Sequence, residues 1–405
     1  MIGIDHGTAG IDIRTVFSVT KRTMEELLAQ VKQMPGVEGC VMISTCNRME
    51  LWISTDTDRN AGLYEAYCGF RGVSPDEYRR YFQFRWEREA AEHLFRLAAG
   101  LESRILGEDQ IITQVKDALS FAREHEMTDP VLETLFRLAV TAAKKVKASN
   151  ISFSGANQSV VHVALAQLKH MGYSFSGKTC MVIGNGVMGK LAATLLQQEG
   201  ADVTVTVRQY RSGVVEIPEN CKRIDYGSRM ELIGSCDFVF SATVSPNCTV
   251  TKEQLEEHMG KRLVLVDLAV PRDIDPETAK LPGVVLFDLD SFQEKAGSRE
   301  QQEAVRRADE CLKEQLEEFF VWYEYRDMMP KIQKIKEKFA QDLSARLTKK
   351  LRGISVSGEE QEMLLSEIEG AAQRSVNKLL FGLRDGAGRD AFRESLSVLE
   401  QIYTD

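Results

Sequence analysis

At 405 residues, with 43% hydrophobic and 27% charged, the chain is too long for one ordinary domain and has the balance of a globular protein in two or three parts. Its formal net charge of −9 argues against wholesale, non-specific nucleic-acid binding and leaves only local basic faces for such a partner. No apolar run approaches the ~20 residues of a membrane helix, so no membrane association is expected.

The opening MIGIDHGTAG lacks a basic flank and a long apolar core, so no signal peptide is expected and the chain reads as cytoplasmic. After the apolar start 1–4 and the loop His6 to Gly10, a helical stretch runs to about Gln33 and Pro35-Gly36 breaks it. The apolar run Val41-Met42-Ile43 then hands Ser44-Thr45-Cys46-Asn47-Arg48 to a loop. Met49 to Ser54 alternates apolar and polar residues as a half-buried strand does. This places Cys46 at a strand–strand corner beside Arg48, a cation that would favour the nucleophilic thiolate; the alternative is a small buried hydrophobe. A helix over about 59–70 and a strand at 79–84 complete a β-α-β-β-α-β order, which predicts a small α+β sandwich of ferredoxin-like type.

From Glu87 to Lys147 the spacing of Leu94, Phe95, Ala98 and of Leu132, Leu135, Leu138 is helical. Within it, Gly100 to Gln114 gathers the hydroxyl of Ser103, the carboxylates of Glu108 and Asp109 and the amides of Gln110 and Gln114 around Gly107. Gln110 and Gln114 stand four apart, on one helix face that can hydrogen-bond a polar substrate, with Glu108 accepting from an ammonium group. Capping and surface polarity are the plainer explanation of the same residues. His93 has the near-neutral pKa that suits proton transfer, although a lone helix histidine is more often structural. Arg137, Lys144, Lys145 and Lys147 form a local basic face, or an ordinary solvated one. The polar stretch 149–155 marks a boundary.

Beyond it, a helix at 160–168 and a strand at 178–183 lead into Gly184-Asn185-Gly186-Val187-Met188-Gly189, then an amphipathic helix to Leu196 and a second strand at 202–207. In that context Gly184 permits a tight turn, Gly186 lets backbone approach a pyrophosphate, and Gly189 allows close helix–strand packing. Further buried strands at 236–241 and 263–269 extend the alternation into a doubly wound parallel sheet. The second strand ends Val207-Arg208-Gln209-Tyr210-Arg211 without a carboxylate, so Arg208, with Arg211, favours the 2′-phosphate of NADP(H).

After Ser291 the chain turns helical. Ile332, Ile335, Phe339, Leu343, Leu347 and Leu351 form one apolar stripe and Leu364, Ile368, Ala372 and Leu379 another, with Pro330 bending or restarting the first long helix. So thin a tail has little core of its own and is expected to pack on a second copy of the chain. The cysteines at 40, 46, 68, 180, 221, 236, 248 and 311 show no CxxC and no Cys/His ligand spacing. They read as reduced thiols, with no disulfide framework and no metal.

Three stretches together carry a resemblance: STCNRME around Cys46, GLESRILGEDQIITQVK over 100–116, and DLAVPRDIDP over 267–276. They resemble motifs of the glutamyl-tRNA reductase family, in the family's order and over most of the chain. The resemblance implies an α/β multidomain protein. Residues 1–150 would be the catalytic, glutamyl-tRNA-binding domain, 151–290 the Rossmann-type NADP-binding domain, and 291–405 a long helix with an all-helical dimerisation domain. It makes Cys46 the nucleophile, with His93 close enough to affect activity. Thr45, Cys46, Asn47, Arg48, Ser103, Glu108, Asp109, Gln110 and Gln114 would line the glutamyl site, and Gly184, Asn185, Gly186, Val187, Met188, Gly189 and Arg208 the cofactor site.

The reaction so implied is NADPH-dependent reduction of glutamyl-tRNA(Glu) to glutamate-1-semialdehyde through a Cys46 thioester. It is the entry to tetrapyrrole (porphyrin and haem) biosynthesis by the five-carbon route. A homodimer is implied, with the aminotransferase that consumes the semialdehyde as a docking partner. The family's turn usually reads Gly-Ala-Gly where Asn185 stands here, and its second strand usually ends Asn-Arg-Thr where this one reads Val207-Arg208-Gln209. Arg104 stands where an apolar residue is expected. Those departures motivate a rival reading, a non-catalytic relative that binds tRNA and glutamate but holds NADP(H) poorly. A free-amino-acid or hydroxy-acid dehydrogenase is a further alternative, and would turn over without tRNA.

Overall fold

The computed structural model describes residues 1–56, 62–149, 151, 153, 159–208, 216–292, 299–351 and 358–404. The chain divides into two compact units, Met1–Leu316 and Glu317–Asp405.

The first unit opens with β1 (Ile2–Asp5), α1 (Ile11–Phe17), α2 (Lys21–Lys32), β2 (Val37–Ser44), β3 (Arg48–Thr55), α3 (Leu63–Arg71), α4 (Pro75–Tyr78) and β4 (Gln83–Phe84). The four strands form an antiparallel sheet in the order β2-β3-β1-β4, the arrangement of a ferredoxin-like βαββαβ unit. The single helix expected before residue 33 is two helices. The second is started by Thr20, whose hydroxyl accepts from the Thr23 backbone. The strand expected over 79–84 shrinks to two residues because 79–81 coil into a 3-10 turn.

Side chains alternate across a strand, so β3 sends Met49, Leu51 and Ile53 to one face and Arg48, Glu50 and Trp52 to the other. The first face packs with Phe17, Leu27, Leu28, Val31 and Tyr67. On the opposite face lie α5 (Glu87–Ala98), α6 (Gln110–Glu124) and α7 (Pro130–Ala148). There Trp52 stacks on His93, with ring centroids 6.1 Å apart, and meets Phe136 edge-on at 5.7 Å. α7 starts sharply because Asp129 accepts from the N–H groups of Val131 and Leu132 and Pro130 fixes the first helical position.

Next come α8 (Val160–His170), β5 (Thr179–Ile183), α9 (Val187–Gln198), β6 (Asp202–Val207), β7 (Lys222–Asp225), α10 (Arg229–Ile233), β8 (Phe238–Ser241), α11 (Lys252–His258), β9 (Leu263–Asp267) and β10 (Val284–Asp288). These strands are all parallel in the order β10-β9-β8-β5-β6-β7, the doubly wound arrangement of dinucleotide-binding domains. β7 and β10 are not among the strands expected from the sequence, although β10 is the apolar run Val284-Val285-Leu286-Phe287. Both are edge strands. β7 is polar (Lys222-Arg223-Ile224-Asp225) and mostly exposed, so no buried face imposes an apolar pattern on it.

α12 (Arg299–Tyr325) leaves this unit and continues into the second, where α13 (Met329–Leu351), α14 (Gly358–Ala387) and α15 (Arg389–Thr404) follow. A 3-10 turn at 326–328 separates α12 from α13, next to Pro330 as expected. The core of the second unit is Tyr325, Met328, Ile332, Ile335, Val376, Leu380, Phe392 and Leu396. Among the described residues no helix is long and apolar enough to cross a membrane.

Candidate active site

The corner between β2 and β3 is a turn built by Thr45. Its hydroxyl accepts from the backbone N–H of Asn47 (3.1 Å) and of Arg48 (3.2 Å), and its own N–H donates to the Arg48 carbonyl at 2.8 Å. His6, from the loop after β1, donates its backbone N–H to the Asn47 carbonyl at 2.9 Å. Cys46 therefore sits at the tip of a turn held from both sides. Among the described residues His6 Nδ1, Asn47 Oδ1 and Arg48 Nε are buried here without a partner, polar atoms that a ligand or water at the corner would satisfy.

Arg48 does not serve the thiol in the way its sequence position implies. It is 1% exposed; its Nη1 lies 2.9 Å from Glu50 Oε1 and its Nη2 donates to the Glu102 carbonyl. With both terminal nitrogens engaged, Arg48 cannot grip a substrate carboxylate bidentately in this arrangement. Glu50 Oε1 also meets His93 Nε2 at 2.9 Å, and its Oε2 accepts from Trp52 Nε1 at 3.3 Å. Burial alone would raise the Glu50 carboxyl, but His93 and Arg48 hold it down at about 2. His93 is thus tied to a buried cluster behind the corner.

The charges that act on Cys46 are others. Its thiol is pushed up to about 11, first by burial and then by the Glu108 carboxylate, against the pull of Arg14 and Arg104. Burial also raises Glu108, with Arg48 opposing. The Glu108 carboxylate is thus close enough to the thiol to act on it electrostatically. The signature stretch that carries it is a loop closed on itself: Gly107 N–H donates to the Gly100 carbonyl at 3.0 Å, and both glycines have positive φ, +76° and +77°. A side chain at Gly107 would run into the Phe153 ring.

Gln110 opens α6 and is brought to the second sheet, its Nε2 lying 3.9 Å from Met188 Sδ in the first turn of α9. Ser103 and Gln114 are half-buried. Asp109 points away into an ion pair with Lys147 at 2.8 Å, and Lys145 pairs with Glu314 at 3.2 Å, so part of the basic face is neutralised within the chain.

Cys46 is half-buried and packs, with Ile11 and Ile105, against the apolar cluster of the parallel sheet that includes Val182, Val266, Leu289 and Phe292. The two sheets therefore share a core at the thiol.

At the carboxyl end of β5 the three glycines each do what the motif requires. Gly184 has φ +107°, and a Cβ there would stand 2.5 Å from the Ala242 carbonyl; a Cβ on Gly189 would collide with the Gly184 carbonyl; one on Gly186 meets open space. α9 starts at Gly186 with no side-chain cap and no acidic residue in its first turn, leaving N–H groups and positive dipole for an anion. These residues fit a dinucleotide's pyrophosphate. Asn185 donates its amide to the Glu216 carbonyl at 3.0 Å. Arg208 follows β6 and lies over the Tyr226 ring at 4.5 Å; Gln209 and Arg211 lie outside the described residues.

The DLAVPRDIDP stretch is a second loop at the same sheet end. Asp267, pushed up to about 7 by burial, accepts the N–H groups of Ala269, Asp273 and Ile274 within 3.0 Å. Asp273 in turn accepts from the Ser241 hydroxyl and the Thr243 N–H, each at 2.7 Å. Its acidic residues are loop builders.

The family model for the N-terminal domain of glutamyl-tRNAGlu reductase matches residues 2–150, that for shikimate/quinate 5-dehydrogenase residues 164–295, and that for the glutamyl-tRNAGlu reductase dimerisation domain residues 307–404. The chain is 38% identical over 326 residues to a glutamyl-tRNA reductase of Acetivibrio thermocellus, covering 80% of this chain and 97% of that protein. It is 38% identical over 322 residues to one of Alkaliphilus oremlandii, covering 80% and 96%. The solved glutamyl-tRNA reductase from Methanopyrus kandleri is 22% identical, covers 100% of this chain and 98% of its own, and has a TM-score of 0.42. With 38% identity over nearly the whole of such relatives, the chain belongs to the glutamyl-tRNA reductase family.

Proposed function

We propose that this protein reduces the glutamyl group of glutamyl-tRNA(Glu) to glutamate-1-semialdehyde with NADPH, the first step of tetrapyrrole formation by the five-carbon route. The observation that carries the reading is the position of Cys46, at the tip of a rigid turn, within electrostatic reach of Glu108, and packed on the sheet that bears the dinucleotide cradle.

Cys46 Sγ attacks the aminoacyl ester while Glu108, its own pKa raised by burial, accepts the thiol proton. The ester C–O bond breaks, the tRNA leaves as an alcohol taking up that proton, and the glutamyl group becomes a thioester on Sγ. NADPH bound in the glycine cradle would supply a hydride to the carbonyl carbon. The alkoxide of the Cys46 thiohemiacetal then breaks its C–S bond to release the aldehyde, and the departing thiolate takes a proton from solvent to re-form the thiol. The unpartnered atoms of His6 and Asn47, with Ser103, Gln110 and Gln114, hydrogen-bond the glutamyl group.

Gly184, Gly186, Gly189 and the N-terminus of α9, with Asn185, Val187 and Met188 beside them, hold the pyrophosphate. Arg208 faces the 2′-phosphate that distinguishes NADPH from NADH. The helical tail pairs with a second copy. Support for this comes from α14, where Leu364, Leu379 and Leu383 are 41%, 68% and 43% exposed on the same helix face as Ile368.

The deciding experiment gives purified protein glutamyl-tRNA and NADPH. Cys46-dependent semialdehyde is expected, and Cys46→Ser should abolish it with fold and oligomeric state unchanged. Semialdehyde from the Ser variant would remove Cys46 as nucleophile; binding without turnover in the natural protein would point to a non-catalytic relative.

A further inference from the structure

A charged node lies between the two sheets of the first unit, and the mechanism above leaves it without a task. Arg14, in α1, is fully buried, with its Nη2 2.9 Å from Asp290 Oδ1 and its Nη1 donating to the Ala9 carbonyl at 2.9 Å. Arg104, in the loop between α5 and α6, places Nη2 3.1 Å from the same Asp290 oxygen and gives Nη1 to the Leu289 carbonyl. The other oxygen of Asp290 accepts the Ile11 N–H at 2.7 Å. Asp290 follows β10 on the parallel sheet, whereas its partners Ile11, Arg14 and Arg104 all belong to the first 150 residues.

A second link runs alongside with the charges exchanged. Arg272 of the parallel-sheet half meets Asp12 of α1 at 2.5 Å and Asp288 at 3.0 Å. The three arginines are 0%, 9% and 11% exposed, and buried cations are costly to strand, so the carboxylates they meet, Asp290 above all, hold the two halves in one register. The apolar part of that register is the shared cluster containing Cys46, Ile11 and Ile105.

We propose that Asp290, through Arg14 and Arg104, is a positioning residue that docks the Cys46 corner on the nucleotide-binding sheet, so that reduction of the acyl group depends on it and acylation does not. Acylation needs only groups of the first 150 residues, Cys46 and Glu108 among them. Reduction needs the acyl carbon held against a cofactor seated on the other sheet, where displacement of about 1 Å is enough to cost a hundredfold. The inference rests on the thioester reading above.

The test measures the two half-reactions apart in the full-length protein. Acylation is followed without NADPH, as deacylation of glutamyl-tRNA and as mass of the Cys46 peptide; reduction is followed as semialdehyde formed on adding NADPH. Asp290→Asn is expected to slow reduction at least about tenfold while acylation stays within about twofold of the natural protein. A parallel fall in both, or no fall in either, overturns the proposal.

Alkylation of Cys46 by iodoacetamide needs no tRNA and keeps the two claims separable. Arg104→Met removes a cation, which alone would slow alkylation, but undocking uncovers the thiol and is expected to speed it about tenfold, with Arg104→Lys near the natural rate. Slower or unchanged alkylation in Arg104→Met overturns docking. A natural protein that never acylates Cys46 overturns the thioester reading and leaves the alkylation result to decide docking. If Asp290→Asn does not fold, Arg104→Met, which keeps the Arg14–Asp290 pair, is put through the half-reactions, and its reduction is expected to fall at least about tenfold relative to its own acylation; an unchanged ratio overturns the proposal.

Discussion

Arg48 Nη1 and Glu50 Oε1 lie 2.9 Å apart with the two side chains 1% and 2% exposed, so the guanidinium next to the nucleophile in sequence belongs to the scaffold. Being two apart on a strand, the residues share a face, and that face is covered by α5 and α7. Removing the carboxylate strands a buried cation. Glu50→Gln should therefore destabilise the protein by about 3–5 kcal/mol in urea unfolding, and the loss should appear whether or not substrate is present.

The same cluster sets an acid limit. Glu50 is held at about 2 against 4.5 when free, so its contribution is complete above pH 4.5 and disappears as pH falls toward 2. His6 adds an earlier loss. Burial and then Arg48 lower its pKa to about 4 from 6.5, so the unfolded chain binds the extra proton between those values and stability declines as pH drops from 6.5 to 4. Thermal unfolding across pH 7 to 3 should show both limbs, and His6→Gln should flatten only the upper one.

Glu108 raises the Cys46 thiol and is placed to take its proton, two effects that one substitution separates. Glu108→Gln should speed alkylation of Cys46 at pH 8, because the thiol titrates lower once the carboxylate is gone. It should slow semialdehyde formation at least about tenfold, because no base remains beside Sγ. Parallel changes in both rates would remove Glu108 as the proton acceptor.

Two glycines of the cradle should fail differently. At Gly186 a Cβ meets open space in the protein itself, so Gly186→Ala should melt normally and lose NADPH affinity, the methyl occupying the pyrophosphate's place. At Gly189 a Cβ strikes the Gly184 carbonyl, so Gly189→Ala should lower the melting temperature before any ligand is added. Calorimetry with and without NADPH distinguishes them.

Arg208→Glu should weaken NADPH at least about tenfold more than NADH, since only the former brings a 2′-phosphate to be repelled. Equal losses in a fluorescence titration would assign Arg208 to the Tyr226 stacking alone.

What was legible in the sequence followed the reach of each signal. Period-two and helical patterns with a glycine motif between them are local, so both sheets, the Cys46 corner and the phosphate loop could be read directly. β7 was missed because an edge strand of Lys222-Arg223-Ile224-Asp225 has no buried face to print a pattern. Glu50 had a usable signal, standing two residues from Arg48 on an alternating strand. Arg14, Arg104 and Asp290 had none: the partners are separated by 276 and 186 positions, and a fully buried arginine looks like any other in a list of residues. The sequence also pointed to the wrong cation for the thiol, because Cys46 lies in the turn while Arg48 begins β3 and commits its guanidinium to Glu50 and the Glu102 carbonyl.

The sharing of one apolar cluster by Ile11, Cys46, Ile105 and the strands of the parallel sheet bears on how such a protein can be divided or recombined. A fragment ending near residue 150 would carry the nucleophile but leave those side chains facing water, with Arg14 and Arg104 stripped of their carboxylate. The antiparallel sheet is thus not a portable cassette. A substitution that repacks one side of the cluster has to be answered on the other, and the thiol and the nucleotide fold are constrained to vary together.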